Sequence, residues 1–134
     1  MIKYSSKREI TTKQLDSLWN SIGWKSRGAK WNNVLRKSTF VYSAWDGKKL
    51  IGLGRVLEDG VMCMFYDIGV HPDYQGHGIG TKIMQTLINK VKRKGYVSLG
   101  LFTLEQNSKN IPFYEKFGFK HSSGMELTKF MKPE

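Results

Sequence analysis

The sequence contains one cysteine, Cys63, so no disulfide can brace the fold from within. Proline occurs only at positions 72, 112 and 133, and no Pro-, Gly- or Ser-rich linker, repeat or low-complexity tract divides the chain. With 134 residues, this predicts a single domain spanning 1–134. No apolar run approaches the length of about 18 residues that crosses a bilayer. The opening Met1-Ile2-Lys3-Tyr4-Ser5 carries no apolar signal core. The expectation is therefore a cytoplasmic protein without a membrane partner. Acidic residues are scarce: 11 Asp plus Glu stand against 22 Lys plus Arg, a formal charge of +11. Such a field attracts polyanions, whether nucleic acid or a multiply phosphorylated small molecule. The charges are scattered, however. The densest run, Lys90-Val91-Lys92-Arg93-Lys94, falls at the end of a predicted helix, where solvent and the helix dipole both favour cations. That distribution argues against nucleic acid as a partner.

Apolar and aromatic residues are plentiful. Hydrophobic residues make up 40% of the chain, with four Trp, six Tyr and seven Phe, enough for a packed core without metal or disulfide staples. The three histidines, His71, His77 and His121, show no metal-ligand spacing, so no metal is expected. Cys63 sits in an apolar stretch with no histidine nearby and reads as a packed thiol rather than a nucleophile.

The pattern alternates between helix and strand periods, which predicts a mixed α/β fold. Ile2 to Tyr4 opens a short strand, and Leu15, Leu18, Trp19 and Ile22 form one face of a helix that Gly23 ends. A weaker helix is predicted over Ala29 to Arg36. Thr39–Trp45, Leu50–Leu57 and Val61–Val70 then read as an antiparallel meander, with turns at Asp46-Gly47 and Asp59-Gly60. Next comes a long amphipathic helix, Gly78 to Lys94, stopped by Gly95. A strand over Tyr96 to Thr103, a short helix over Lys109 to Phe117 and one or two strands after Gly118 complete the prediction, Met125–Met131 being the clearer of these. The strand–loop–helix–strand unit makes the strands near 61–70 and 96–103 parallel neighbours.

The loop in that unit is rich in glycine: Gln75-Gly76-His77-Gly78-Ile79-Gly80-Thr81. Glycines at alternating positions let backbone N–H groups turn outward at a helix N-terminus, a setting suited to a pyrophosphate. A tight structural turn explains the same glycines. The Walker A order fails, because Gly80 is followed by Thr81-Lys82. The dinucleotide fingerprint fails too, because its third glycine would fall at Thr81.

Val70-His71-Pro72-Asp73-Tyr74-Gln75-Gly76-His77-Gly78-Ile79-Gly80 instead resembles the acetyl-CoA loop of the GNAT superfamily of N-acetyltransferases. That family's pattern is Gln or Arg, two residues, Gly, one residue, then Gly or Ala, and Gln75, Gly78 and Gly80 satisfy it. A second segment, Asn107-Ser108-Lys109-Asn110-Ile111-Pro112-Phe113-Tyr114-Glu115-Lys116-Phe117-Gly118-Phe119, is similar to the family's second signature, an Asn followed by Tyr within FYEKxGF. The resemblance covers nearly the whole chain, with residues 1–45 matching only in general plan. It implies the GNAT fold: a meander followed by a β-α-β unit, about 6–7 strands and 4 helices.

The resemblance further implies an acetyl-CoA-dependent enzyme that acetylates a primary amine of a small molecule or peptide by direct attack in a ternary complex. Backbone groups of Gln75, Gly76, His77, Gly78, Ile79, Gly80 and Thr81 would take the pyrophosphate. Those around Ile68 and Val70 would pair with the pantetheine arm, and Asn107 would orient the second helix or touch the cofactor. Tyr114 is the candidate general acid, because a phenol stays protonated at neutral pH and can donate to a thiolate. Asp67, a charged residue in an apolar strand, is the candidate general base, with Glu58 and Glu105 in reserve. Many relatives carry a glutamate a few residues earlier, where this chain has Met62, Cys63 and Met64. Trp19, Trp24, Trp31, Phe40 and Tyr42 are candidates for an aromatic acceptor pocket, or for core. Small members of the family often form homodimers. The alternative is a non-catalytic module on the same fold that senses acetyl-CoA or binds nucleic acid or protein.

Overall fold

A computed structural model describes residues 1–24, 30–96, 98–103 and 109–121. The chain divides into two compact units, Met1–Phe102 and Thr103–Glu134. The first unit runs β1 (Ile2–Ser5), α1 (Thr12–Ile22), α2 (Trp31–Lys37), β2 (Phe40–Asp46), β3 (Lys49–Glu58), β4 (Met62–Val70), a 3₁₀ turn (Pro72–Tyr74), α3 (Ile79–Arg93) and β5 (Ser98–Leu101). In the second unit the described element is α4 (Asn110–Glu115). The five strands lie in the order β1-β2-β3-β4-β5. The first four are antiparallel and β5 is parallel to β4. The architecture is thus the expected α/β meander followed by a β-α-β unit. Five strands rather than six or seven are seen among the described residues, and the segment Met125–Met131 lies outside them.

Local chemistry explains the element ends. Thr11 and Gln14 form a reciprocal capping box at the start of α1, and Gly23 closes the helix in the left-handed conformation. The Gln14 amide also donates to the Lys48 carbonyl at 3.1 Å, tying α1 to the β2–β3 turn. At the end of α2, the Arg8 guanidinium collects the carbonyls of Leu35, Ser38 and Thr39 at 2.5, 2.6 and 3.0 Å.

The sheet is packed on both faces. On one, Leu15, Leu18 and Trp19 of α1 and Trp31 and Leu35 of α2 join Val41, Trp45, Leu50 and Leu53 in a buried cluster. On the other, α3 buries the stripe Ile79, Ile83, Met84, Leu87, Ile88 and Val91. Each such side chain contributes about 1.5–3 kcal/mol by leaving water. The helix sits very close to β3: a Cβ on Gly54 would stand 2.8 Å from Ile83 Cγ2 and 3.0 Å from Leu87 Cδ1.

Candidate active site

β4 is broken in its regularity near its end. Leu53 of β3 faces Gly69 of β4 and Arg55 faces Tyr66, so Gly54 alone opposes both Asp67 and Ile68. This is a β-bulge. Asp67 takes φ +56°, the left-handed region that Asp and Asn enter more readily than other non-glycine residues. Its Oδ2 accepts a hydrogen bond from Arg55 Nε at 2.7 Å. The two side chains are only 8% and 12% exposed. The Arg55 guanidinium also lies 4.8 Å from the Tyr66 ring centroid, and its Nη1 donates to Ser38 Oγ at 3.4 Å, just beyond α2. The candidate base is therefore part of a buried polar chain linking α2, β3 and the bulge.

The bulge also ends the parallel pairing. β4 is in register with β5 from Met62 opposite Ser98 to Phe65 opposite Leu101, and the pairing goes no further. Tyr66 to Val70 extend beyond it, still paired with β3. Ile68 and Val70, the predicted backbone contacts, lie in this stretch.

After Val70 the chain enters the glycine loop, which is anchored at several points. The His71 N–H donates to the Ile51 carbonyl at 2.8 Å, and His71 Nδ1 accepts from the Asp73 N–H at 3.1 Å. The Tyr74 hydroxyl donates to Asp46 Oδ2 at 2.5 Å, and that bond raises the tyrosine's pKa above its ordinary value. Gln75 Nε2 donates back to the Val70 carbonyl at 3.0 Å. Gly76 and Gly78 then take φ of +83° and +80°, where a side chain would be strained. Gly78 is the cap of α3 and, having no side chain, places no capping hydrogen bond on the first turn. Gly76, His77 and Gly78 are exposed, so this 15-residue helix presents its positive end through an open glycine loop. The geometry fits a pyrophosphate.

In the second unit, Tyr114 lies on α4, edge-on to Phe113 at 5.0 Å and to Phe119 at 6.3 Å. Burial pushes its phenol up to about 12. Asn110 Nδ2 donates to Thr103 Oγ1 at 2.8 Å near the start of the helix. Asn107 and Glu105 lie outside the described residues.

Other expectations are redistributed by the fold. Glu58 sits at the β3–β4 turn, its Oε2 accepting from the Gly60 N–H at 2.6 Å, at the opposite end of β4 from the bulge. Cys63 is fully buried, and burial raises its thiol pKa, as for a packed residue. The five aromatic residues do not form one pocket. Trp19 packs between Trp24 and Trp31, at 5.0 and 5.6 Å, on the α1–α2 face. Phe40 and Tyr42 lie on the α3 face, under Lys90. Alternation along β2 turns Phe40 and Tyr42 away from Val41, which joins the α1–α2 cluster. The residue the sequence reading missed is Arg55. Its one signal was indirect: an aspartate in an apolar strand needs a partner.

Comparison with known proteins agrees with this geometry. The model of the Acetyltransferase (GNAT) family matches residues 7–119. The chain belongs to that family of acetyltransferases. It is 31% identical over 124 residues to an uncharacterized N-acetyltransferase, ycf52, of Pyropia yezoensis, covering 88% of this chain and 70% of that protein. Its fold is similar to that of a GNAT family acetyltransferase from Streptococcus pneumoniae TIGR4, with a TM-score of 0.79, 27% identity, and 96% and 98% of the two chains covered. A GNAT family acetyltransferase from Elizabethkingia anophelis, with acetyl-CoA bound, shares the fold at a TM-score of 0.70 and 22% identity, over 91% of this chain and 78% of the other.

Proposed function

We propose that this chain is an acetyl-CoA-dependent N-acetyltransferase whose acceptor is a primary amine of a small molecule or peptide. The observation that carries the reading is the coincidence of the anchored glycine loop with the bulged strand end that precedes it. The backbone of Gln75 to Thr81 binds the pyrophosphate, with Asn107 as a further contact. The stretch around Ile68 and Val70, past the end of the β5 pairing, takes the pantetheine arm. When bound, acetyl-CoA supplies the acetyl group as a thioester.

Tyr114 Oη holds the proton required by the departing thiolate. A phenol whose pKa is pushed up to about 12 remains loaded with that proton at any physiological pH. Asp67 receives the proton of the attacking ammonium, directly or through water. A second reading of Asp67 is favoured by its bond to Arg55 and its left-handed backbone. There it is a positioning residue that holds the bulge, and hence the backbone of Ile68 and Val70, in place.

The test is release of free CoA thiol from acetyl-CoA in the presence of arylalkylamines, polyamines, amino sugars and short peptides. Release stimulated by one acceptor class, and reduced at least 100-fold in Tyr114→Phe with acetyl-CoA binding retained, supports the enzyme. Binding without stimulated release by any acceptor supports the non-catalytic module. For Asp67, a loss in kcat that grows toward low pH in Asp67→Asn but is absent in Arg55→Met identifies a base. A shared rise in the KM for acetyl-CoA in both variants identifies a positioning pair.

A further inference from the structure

The fold brings together basic residues that are far apart in the sequence. Lys90, on the sheet-facing flank of α3, is half-buried rather than solvated, and its Nζ donates to Ser6 Oγ at 2.8 Å. It stands 5.5 Å from the Tyr42 ring centroid and 5.9 Å from that of Phe40. Arg93 lies one turn further along α3, and Arg8 approaches from the segment after β1. Burial, then the charges of Arg93 and Arg8, lower the pKa of Lys90. Two turns earlier Lys82 stands 5.8 Å from the Tyr4 ring centroid. The rings of Tyr4 and Tyr42 are stacked, 5.7 Å apart and 11° from parallel, and both are half-exposed.

No carboxylate forms an ion pair with Arg8, Lys82, Lys90 or Arg93 among the described residues. Arg8 spends its donors on carbonyls, which leave its charge uncancelled. Helix-dipole compensation accounts for Lys90 and Arg93 but not for Lys82, which lies in the first turn, at the positive end, nor for Arg8 on another element. Lys82 and Lys90 are about 12 Å apart along the helix axis, a span covering two or more phosphates of an extended strand.

We propose that this face, between α3 and the edge formed by β1 and β2, binds single-stranded nucleic acid. Lys82, Lys90 and Arg93 of α3 hold the phosphates within the added field of Arg8, and the half-exposed rings of Tyr4, Phe40 and Tyr42 offer aromatic surface to the bases. An acidic peptide would satisfy the charge but not use the stacked rings. A duplex would keep its bases paired and away from them.

The test is fluorescence anisotropy of the full chain with labelled oligo(dT) and oligo(rU) 12-mers, titrated with salt, beside a duplex and poly-glutamate. The expected result is single-strand binding at 50 mM salt that Lys90→Gln/Arg93→Gln weakens at least tenfold, lowering the salt slope by about 1.4. Tyr42→Ala should weaken the single strand about fivefold or more with the slope unchanged. Thermal melting of each variant and its acetyl-CoA binding report that the fold is intact, and Lys82→Glu, at an exposed position, supplies a second charge variant. The proposal is overturned by absence of binding at 50 mM salt, or by binding that the charge variants leave unchanged. Duplex or poly-glutamate bound as tightly as oligo(dT), with Tyr42→Ala without effect, overturns it as well.

Discussion

Arg55 and Asp67 meet across the bulge at 2.7 Å, so the one non-glycine residue with a left-handed backbone among those described is also ion-paired. Removing either partner leaves the other charge poorly solvated. Asp67→Asn and Arg55→Met should each destabilise the fold by about 3 kcal/mol. The double variant should lose little more than either single one, because the pair acts as a unit. Urea denaturation of the four proteins measures the coupling. Strictly additive losses would show that the two side chains act separately.

Tyr114 offers a spectroscopic check. Its phenol ionises near 12 in the folded protein, against about 10 in an unfolded chain. The neutral form is thus favoured by folding. The stabilisation is fully present below pH 10 and is lost as the pH rises through about 12. The phenolate absorbance of wild type minus Tyr114→Phe should therefore show one tyrosine titrating near 12. A titration near 10 would mean that the ring is not desolvated.

Gly54 is one of the sheet glycines whose surroundings leave little room for a side chain. A Cβ there would stand 2.7 Å from Ile68 Cδ1 as well as close to Ile83 and Leu87. Gly54→Ala should cost about 1–3 kcal/mol through overpacking, read as a lower urea midpoint. Because Ile68 is displaced first, acetyl-CoA affinity should fall in the same variant under conditions where it is fully folded.

In the glycine loop the cost is conformational rather than steric, since a Cβ at Gly76 or Gly78 meets nothing within 4 Å. Gly78→Ala must hold an L-residue in the left-handed region at a cost of about 1–2 kcal/mol. Isothermal titration should show acetyl-CoA binding weakened about tenfold or more. Gly47→Ala, in a turn at φ +60°, carries a similar strain away from the loop and should leave the affinity unchanged.

Much of this was legible in the residues. The periodicity of Ile79, Ile83, Leu87 and Val91 placed α3 to within a residue at each end, and Asp46-Gly47 placed a hairpin. The loop motif was readable because its glycines do a local job, adopting positive φ at 76 and 78. The bulge was not readable. Met62 to Val70 is apolar enough to pass for a regular strand, and only the pairing with β3 reveals that Gly54 faces two residues. The clustering of Arg8 with Lys90 was equally hidden, because a sequence shows neighbours along the chain and not across a sheet. The charges looked scattered for that reason.

The bulge has one more effect, on the phase of the strand. Phe65 is opposite Val56 and so lies on the same side of the sheet as Gly54, while Ile68, three residues later, also packs over Gly54. An unbroken strand would have put residues three apart on opposite sides. β4 therefore changes phase at Asp67, and Gly69, turned the other way, comes against Ile22 and Trp24. A homologue one residue shorter between Phe65 and Gly69 would lose the bulge and return to a regular ladder, with the residue at Gly69 still opposite Leu53 and turned the same way. The bulge is thus how β4 carries one extra residue, with Asp67 in a left-handed backbone, without turning the later side chains to the wrong layer.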